Sequence, residues 1–180
     1  VTKSFYFDKI KANVDNYNLL TKPYDPYNND ILFDGQLGSL DFRDGKWNGI
    51  FYEEDEEKAK QQGRKQNSGN LIVDFDLPKN KNVSEIAVSC MESINVGFIL
   101  HPESISLYDI SSGSEKLISS ISIPKSDVDE PDSKKVFNLS LKQKNIKRVR
   151  LKINSNRSLP KGHVAEGQPA WVFVDEIFLL

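Results

Sequence analysis

Along residues 71–153 of this chain, apolar and polar side chains alternate with a period of two. Residues 71–77 read Leu-Ile-Val-Asp-Phe-Asp-Leu and stop at Pro78, and residues 105–110 alternate strictly before the turn Ser111-Ser112-Gly113. That period sends alternate side chains to opposite faces of a strand, one toward a core and one toward water. Similar runs predict strands at 83–91, 97–100, 116–123, 136–141 and 148–153. The closing stretch, 170–180, departs from the alternation. It is apolar at nearly every position, rich in aromatic and β-branched residues, and free of Gly and Pro. Such a run suits a strand covered on both faces, inside a sheet rather than at its edge.

The first seventy residues are less regular. An aromatic run at 5–7, followed by Ile10, Val14, Leu19 and Leu20, reads as an extended segment. Residues 22–30 are dense in Pro, Tyr, Asn and Asp and predict a loop. A short strand at 31–33 is expected to stop at Asp34-Gly35, and 38–49 reads as irregular backbone with Phe42 and Trp47 as aromatic plugs. Residues 53–70 carry the run Glu-Glu-Asp-Glu-Glu and then Lys, Gln, Arg, Asn, Ser and Gly. They read as a solvated insertion, or as one short charged helix over 53–62. The expected organisation is a lead-in at 1–20 from a preceding domain, then an all-β body over 21–180 interrupted by the insertion. Short strands, turn signals about every eight to twelve residues and no long helix predict an antiparallel β-sandwich.

Composition narrows the function classes. Hydrophobic residues make up 38% and charged residues 28%, enough apolar material for one core, and the net charge of −2 gives no nucleic-acid footprint. Arg148, Arg150 and Lys152 fall in the polar phase of a strand, which predicts a solvated face, with an anion-binding patch as the alternative. The single cysteine, Cys90, excludes an intrachain disulfide and sits in an apolar run as a small buried hydrophobe. No run approaches the length of a membrane span. The chain begins at Val1 without Met or a leader, and so reads as a mature product or an excised piece.

Catalytic constellations are absent from the pattern. One Cys and two His, at 101 and 163, give no zinc spacing, and no Gly-x-Ser-x-Gly elbow or phosphate-cradling Gly loop occurs. Calcium is more compatible, because it takes hard oxygen ligands in irregular turns. A carboxylate inside an apolar strand is costly unless paired or bound to a cation. Glu176 is therefore expected to share a cation with Asp34, with Asp44 and the carbonyl-rich turn 32–44 completing a cage. The alternative is a strand-end Glu facing water or an Arg. Sugar binding needs an aromatic face and a few polar groups, and Trp47, Phe51, Tyr52, Arg157 and His163 are the loop-borne candidates. Trp47 reads first as a core plug, and His101 before Pro102 as a strand-end residue.

These residues together resemble a known family. Residues 32–39 and 42–49, the strand 71–77, the pair 98–102 and 105–108, and Leu159-Pro160 with His163, Gly167 and 170–177 are similar to a discoidin-like (coagulation factor type C) module. The match is most specific to the C-terminal module of bacterial family 20 glycoside hydrolases, the β-N-acetylhexosaminidases of Bacteroidetes. The resemblance implies a jelly-roll β-sandwich of the galactose-binding-domain-like class. It implies a structural calcium held by the Asp-Gly aspartate and the C-terminal Glu, here Asp34 and Glu176. It implies a non-catalytic accessory module of a secreted, cell-surface or periplasmic bacterial glycosidase, with the catalytic Asp-Glu pair in a separate barrel domain of the parent chain. The implied partners are that catalytic domain and a glycan with galactose or N-acetylhexosamine units. The alternatives are a purely structural buttress or a protein-interaction domain. Two departures stand out: 53–70 is longer than the usual connection, and Lys161-Gly162 precede His163 where relatives carry an aromatic residue.

Overall fold

The alternating segments pair into two antiparallel sheets that face each other across one core. A computed structural model describes residues 16–17, 24, 31–61, 69–79, 82–142 and 145–180. Its strands are β1 (Asn16–Tyr17), β2 (Asn48–Phe51), β3 (Asn70–Asp76), β4 (Glu85–Glu92), β5 (Ser104–Asp109), β6 (Lys116–Ser122), β7 (Ser133–Ser140), β8 (Arg148–Asn154) and β9 (Trp171–Leu179). One sheet has the order β1-β3-β8-β5-β6 and the other β2-β9-β4-β7. Apart from the β5–β6 hairpin, every connection from β2 onward crosses between the sheets. That winding is the expected jelly-roll sandwich. The expected aromatic run at 5–7 and the loop 22–30, Tyr24 apart, lie outside the described residues.

The inward phase of each strand builds the main core, in which Val73, Phe75, Ile86, Val88, Ile105, Leu107, Val149, Leu151, Val172 and Val174 are all 0% exposed. A second cluster covers the outer face of the β2-β9-β4-β7 sheet: Phe42, Trp47, Met91, Ile99, Trp171 and Phe173. The closing strand β9 is thus covered on both faces and lies between β2 and β4, as its unbroken apolar run requires. On β3 and β8 the outward phase is ionic. Arg150 donates from Nε and one terminal nitrogen to both oxygens of Asp74 (2.6 Å each) and also reaches Glu115, which Lys152 joins at 2.7 Å. The basic strand face is therefore internally neutralised and is not an anion patch.

Some local expectations change. Residues 31–33 form a 3-10 turn instead of a strand, which drops Leu32 and Phe33 into the main core, the Phe33 ring 5.3 Å from Phe75. Residues 97–100 are not a strand. A short helix α2 (Ile94–Gly97) ends on Phe98 in the left-handed region (φ 56°), and Ile99 makes only isolated bridges to Ser93 and Trp171. Four apolar residues cannot by themselves distinguish a strand from a helical turn and its exit. β2 lies in a stretch read as irregular. Its Gly49 hides the pattern, and it is Gly because a Cβ there would sit 2.7 Å from the Phe173 ring and from Tyr24 Cβ. Within the charged insertion, α1 (Glu56–Gln61) forms where a charged helix was expected. Asp55 caps it by accepting the amide protons of Glu57 and Lys58 (3.0 and 3.1 Å).

Candidate functional site

Two places in the fold concentrate polar groups. The first is where the turn 34–38 lies against β9. Along β9 and β4, Ser89 pairs with Glu176 but Cys90 pairs with Val174, so Asp175 is the extra residue of a β-bulge. The bulge is why two consecutive acids fit in a buried strand: it breaks the alternation locally and re-aims both side chains. The Gly35 amide donates to Glu176 Oε2 (2.9 Å) and the Gly38 amide to Asp175 Oδ2 (2.7 Å). Lys134, from β7, donates to the Gly38 carbonyl (2.7 Å) and stands 3.7 Å from Asp175 Oδ2.

The two acids differ in how they are compensated. Burial raises the Asp175 carboxyl, and the neighbouring Ser89 hydroxyl, Gly38 amide and Lys134 ammonium oppose the rise. Glu176, 3% exposed, is pushed from 4.5 to about 8: burial dominates, the Gly35 amide opposes it, and the charges of Asp34 and Asp175 add to it. Neither Asp34 nor Glu176 has a Lys, Arg or His within ion-pair distance among the described residues. Two uncompensated carboxylates side by side, one of them buried, form a donor set that fits a hard cation. Asp44 does not extend it. Its oxygens accept the amides of Ser39 (2.6 Å) and Lys46 (3.0 Å), which close its own turn. Among the described residues no cluster of three or more His, Cys, Asp or Glu side chains has metal-binding geometry, so backbone carbonyls would have to complete a shell around Asp34 and Glu176.

The second place is the end of the sandwich where residues 52–55 leave β2 and the segments 93–103, 123–132 and 155–170 emerge. Tyr52 leaves β2 there, and the Arg157 guanidinium lies 5.1 Å from its ring centroid. A hydrogen bond to Glu54 raises the Tyr52 hydroxyl above its usual range. Phe51 is half-buried and leans on Trp171 at 4.9 Å, which ties it to the apolar cluster on the outer face of its sheet. The exposed guanidinium lies over the half-exposed phenol ring, so polar donors and an aromatic ring share one surface.

The remaining sugar candidates are buried. Trp47 is 2% exposed, and its indole N–H donates to the Ser39 carbonyl (3.0 Å), the arrangement of a core plug. His163 is 4% exposed rather than presented to solvent. Its Nδ1 accepts the Ala165 amide (2.9 Å), so the ring proton is on Nε2, which is 3.2 Å from the Ile94 carbonyl. His163 thus ties the 155–170 loop to α2, with Phe98 edge-on at 4.9 Å. His101, 2% exposed, packs against Glu92 (Nδ1 to Oε2, 3.3 Å). Burial raises the Glu92 carboxyl, but the His101 ring and amide and the Ser126 hydroxyl outweigh it, and the net effect is a lowered value. The Ser126 hydroxyl donates to Glu92 Oε1 (2.8 Å) and the Asn156 amide to the His101 carbonyl (2.8 Å), so this buried pair joins three of the loops. Sequence reasoning passed over Glu92, although a lone acid ending the apolar run 86–91 was the available signal.

No family model matches the chain, and no curated protein does. Solved structures do match. Among them is CpGH89CBM32-4, produced by Clostridium perfringens and solved in complex with glcNAc-alpha-1,4-galactose. It is 14% identical, over 96% of this chain and 90% of that one, with a TM-score of 0.47. No site residue is carried over from it.

Proposed function

We propose that this chain is a non-catalytic accessory module that binds a glycan weakly through its loop end, with Tyr52 as the platform and Arg157 as the hydroxyl-binding group. The observation that carries the reading is their juxtaposition: an aromatic ring with a guanidinium over one face, at the loop end of the sandwich. The preferred ligands are glycans with terminal galactose or N-acetylhexosamine units. The sequence resemblance supports a parent enzyme of the bacterial β-N-acetylhexosaminidase type, exported to the periplasm, cell surface or medium, with its catalytic residues outside this chain. Asp34 and Glu176 would hold a structural calcium that fastens the turn 34–38 to β9; bound there, the ion supplies charge compensation and no chemistry.

Calorimetry and heteronuclear NMR with such oligosaccharides, at millimolar concentration with calcium present, test the reading. Saturable shifts centred on Tyr52 and Arg157, abolished by Tyr52→Ala, are expected. No shift at that end with any member of a glycan panel rejects it. The purified chain should also leave a chromogenic hexosaminide intact.

One observation favours a second reading. Val96, Phe98 and Val164 are 67%, 38% and 88% exposed at the same loop end. Exposed apolar side chains on neighbouring loops suit a protein contact, such as the catalytic domain of the parent. Loss of glycan binding by Tyr52→Ala alone favours the first reading. Association with a partner domain that is lost on Val164→Asp favours the second.

A further inference from the structure

At the pole opposite those loops, residues 76–79, 82–84, 141–142 and 145–147 line a cleft of about 1070 Å³ between the sheets. Its floor is the uncapped end of the main core: Leu77, Val83 and Ile146 are only partly buried, beside Leu141 at 5%. Backbone hydrogen bonds from Leu77 to Lys147 and from Leu141 to Ser84 (2.8 Å each) fix its walls. Three exposed lysines ring it, Lys79, Lys142 and Lys147.

The charge balance there is one-sided. Asp76, the one carboxylate among the described lining residues, is engaged by Arg148 at 3.6 Å. None of the three lysines makes an ion pair among the described residues. On the neighbouring β8 face, by contrast, Arg150 is matched by Asp74 and Glu115 and Lys152 by Glu115. Three positive charges are therefore left uncompensated around an apolar hollow, where low-dielectric walls focus the field. A polyanion would need an extended basic surface, which the neutralised strand face does not offer. We infer that this cleft binds a small amphipathic anion, with a carboxylate or sulfonate head among the three lysines and an apolar body on the Leu77–Val83–Ile146 floor. Lysine stems lengthen the apolar walls while their ammonium groups meet the head.

The probe is 1-anilinonaphthalene-8-sulfonate, titrated into the full chain by fluorescence, with decanoate and decanol as competitors. Saturable one-to-one binding is expected, displaced by decanoate and not by decanol. The triple variant K79E/K142E/K147E should bind about fivefold more weakly or worse, since each exposed charge contributes modestly and three are reversed. All three lysines are surface residues, so an unchanged near-ultraviolet spectrum confirms folding of the variant. Tyr52→Ala should leave probe binding unaltered, which separates this cleft from the glycan reading. Probe binding that survives the triple variant, that decanol displaces as well as decanoate, or that Phe98→Asp abolishes overturns the proposal. So does an absence of saturable binding.

Discussion

Glu176 offers the sharpest quantitative test of how the turn 34–38 is held to the last strand. Its carboxyl titrates near 4.5 in an unfolded chain and near 8 when folded, because burial and the Asp34 and Asp175 charges disfavour the anion. Between those values the folded state holds a proton that the unfolded state has lost. Stability from this group is therefore greatest at acid pH and falls as pH rises toward 8, at about 1.36 kcal/mol per pH unit. Traversing the interval sets a ceiling of about 5 kcal/mol; solvent relaxation around the surface turn brings the expected effect to about 2–4 kcal/mol. Glu176→Gln is the perturbation, since the amide keeps the shape of the protonated acid and cannot ionise. Urea denaturation in EDTA, from pH 5 to 8.5, measures the difference between the two proteins. They should be similar at pH 5, and the variant should be more stable by about 2–4 kcal/mol at pH 8.5. Calcium should then restore the parent at pH 8.5 and leave the variant unaffected, because a cation compensates the ionised pair as a proton does. Parallel pH profiles in EDTA would refute the claim that Glu176 is strained by ionisation. Equal calcium responses would remove the cation from the explanation.

Other consequences follow from the same geometry. Gly38→Ala places a Cβ 2.4 Å from the Trp47 indole, and should cost about 1–3 kcal/mol in urea with loss of tryptophan burial by fluorescence. Glu92→Gln weakens the bonds to His101 and Ser126 while keeping the volume. A loss of about 1–3 kcal/mol and faster amide exchange in 123–132 are expected. Because the Glu92 carboxyl is lowered on folding, its contribution is present at neutral pH and should fade as pH falls through its folded value. Asp74→Ala strands Arg150 with only the exposed Glu115, and should lower stability by about 1–2 kcal/mol, less so with Arg150→Met added, as read from a double-mutant cycle.

Strands with clean alternation were legible from the chain because each has one face in the core. The segments 71–77, 105–110 and 148–153 fall within a residue of β3, β5 and β8, and the unbroken apolar run 170–180 became the doubly covered β9. What escaped the pattern had a physical reason in each case. β2 was hidden by Gly49, whose missing side chain is required by Phe173 on the neighbouring strand, a contact 124 positions away in sequence. The turn at 31–33 resembles a strand because its two buried residues, Leu32 and Phe33, are consecutive rather than alternating. Local propensity carries no information about either contact.

The polar sites divide along the same line. Asp34 and Glu176 could be paired in advance because a buried strand acid demands compensation, and the Gly35 amide, one residue from Asp34, now donates to Glu176. The function of Asp175 could not be read, since two adjacent acids on a regular strand would face opposite sides. Only the bulge opposite Ser89 and Cys90 brings both under the same turn. For the loop residues, exposure was inferred from loop membership, and there the inference failed for His163. Its loop folds back so that Leu159 and Ala170 join Ile94 and Leu100 in a small apolar cluster, and the ring is drawn in with them. A loop with its own core holds its polar residues for internal bonding. Tyr52 and Arg157 belong to no such cluster; Arg157 is exposed and lies over the half-exposed Tyr52 ring.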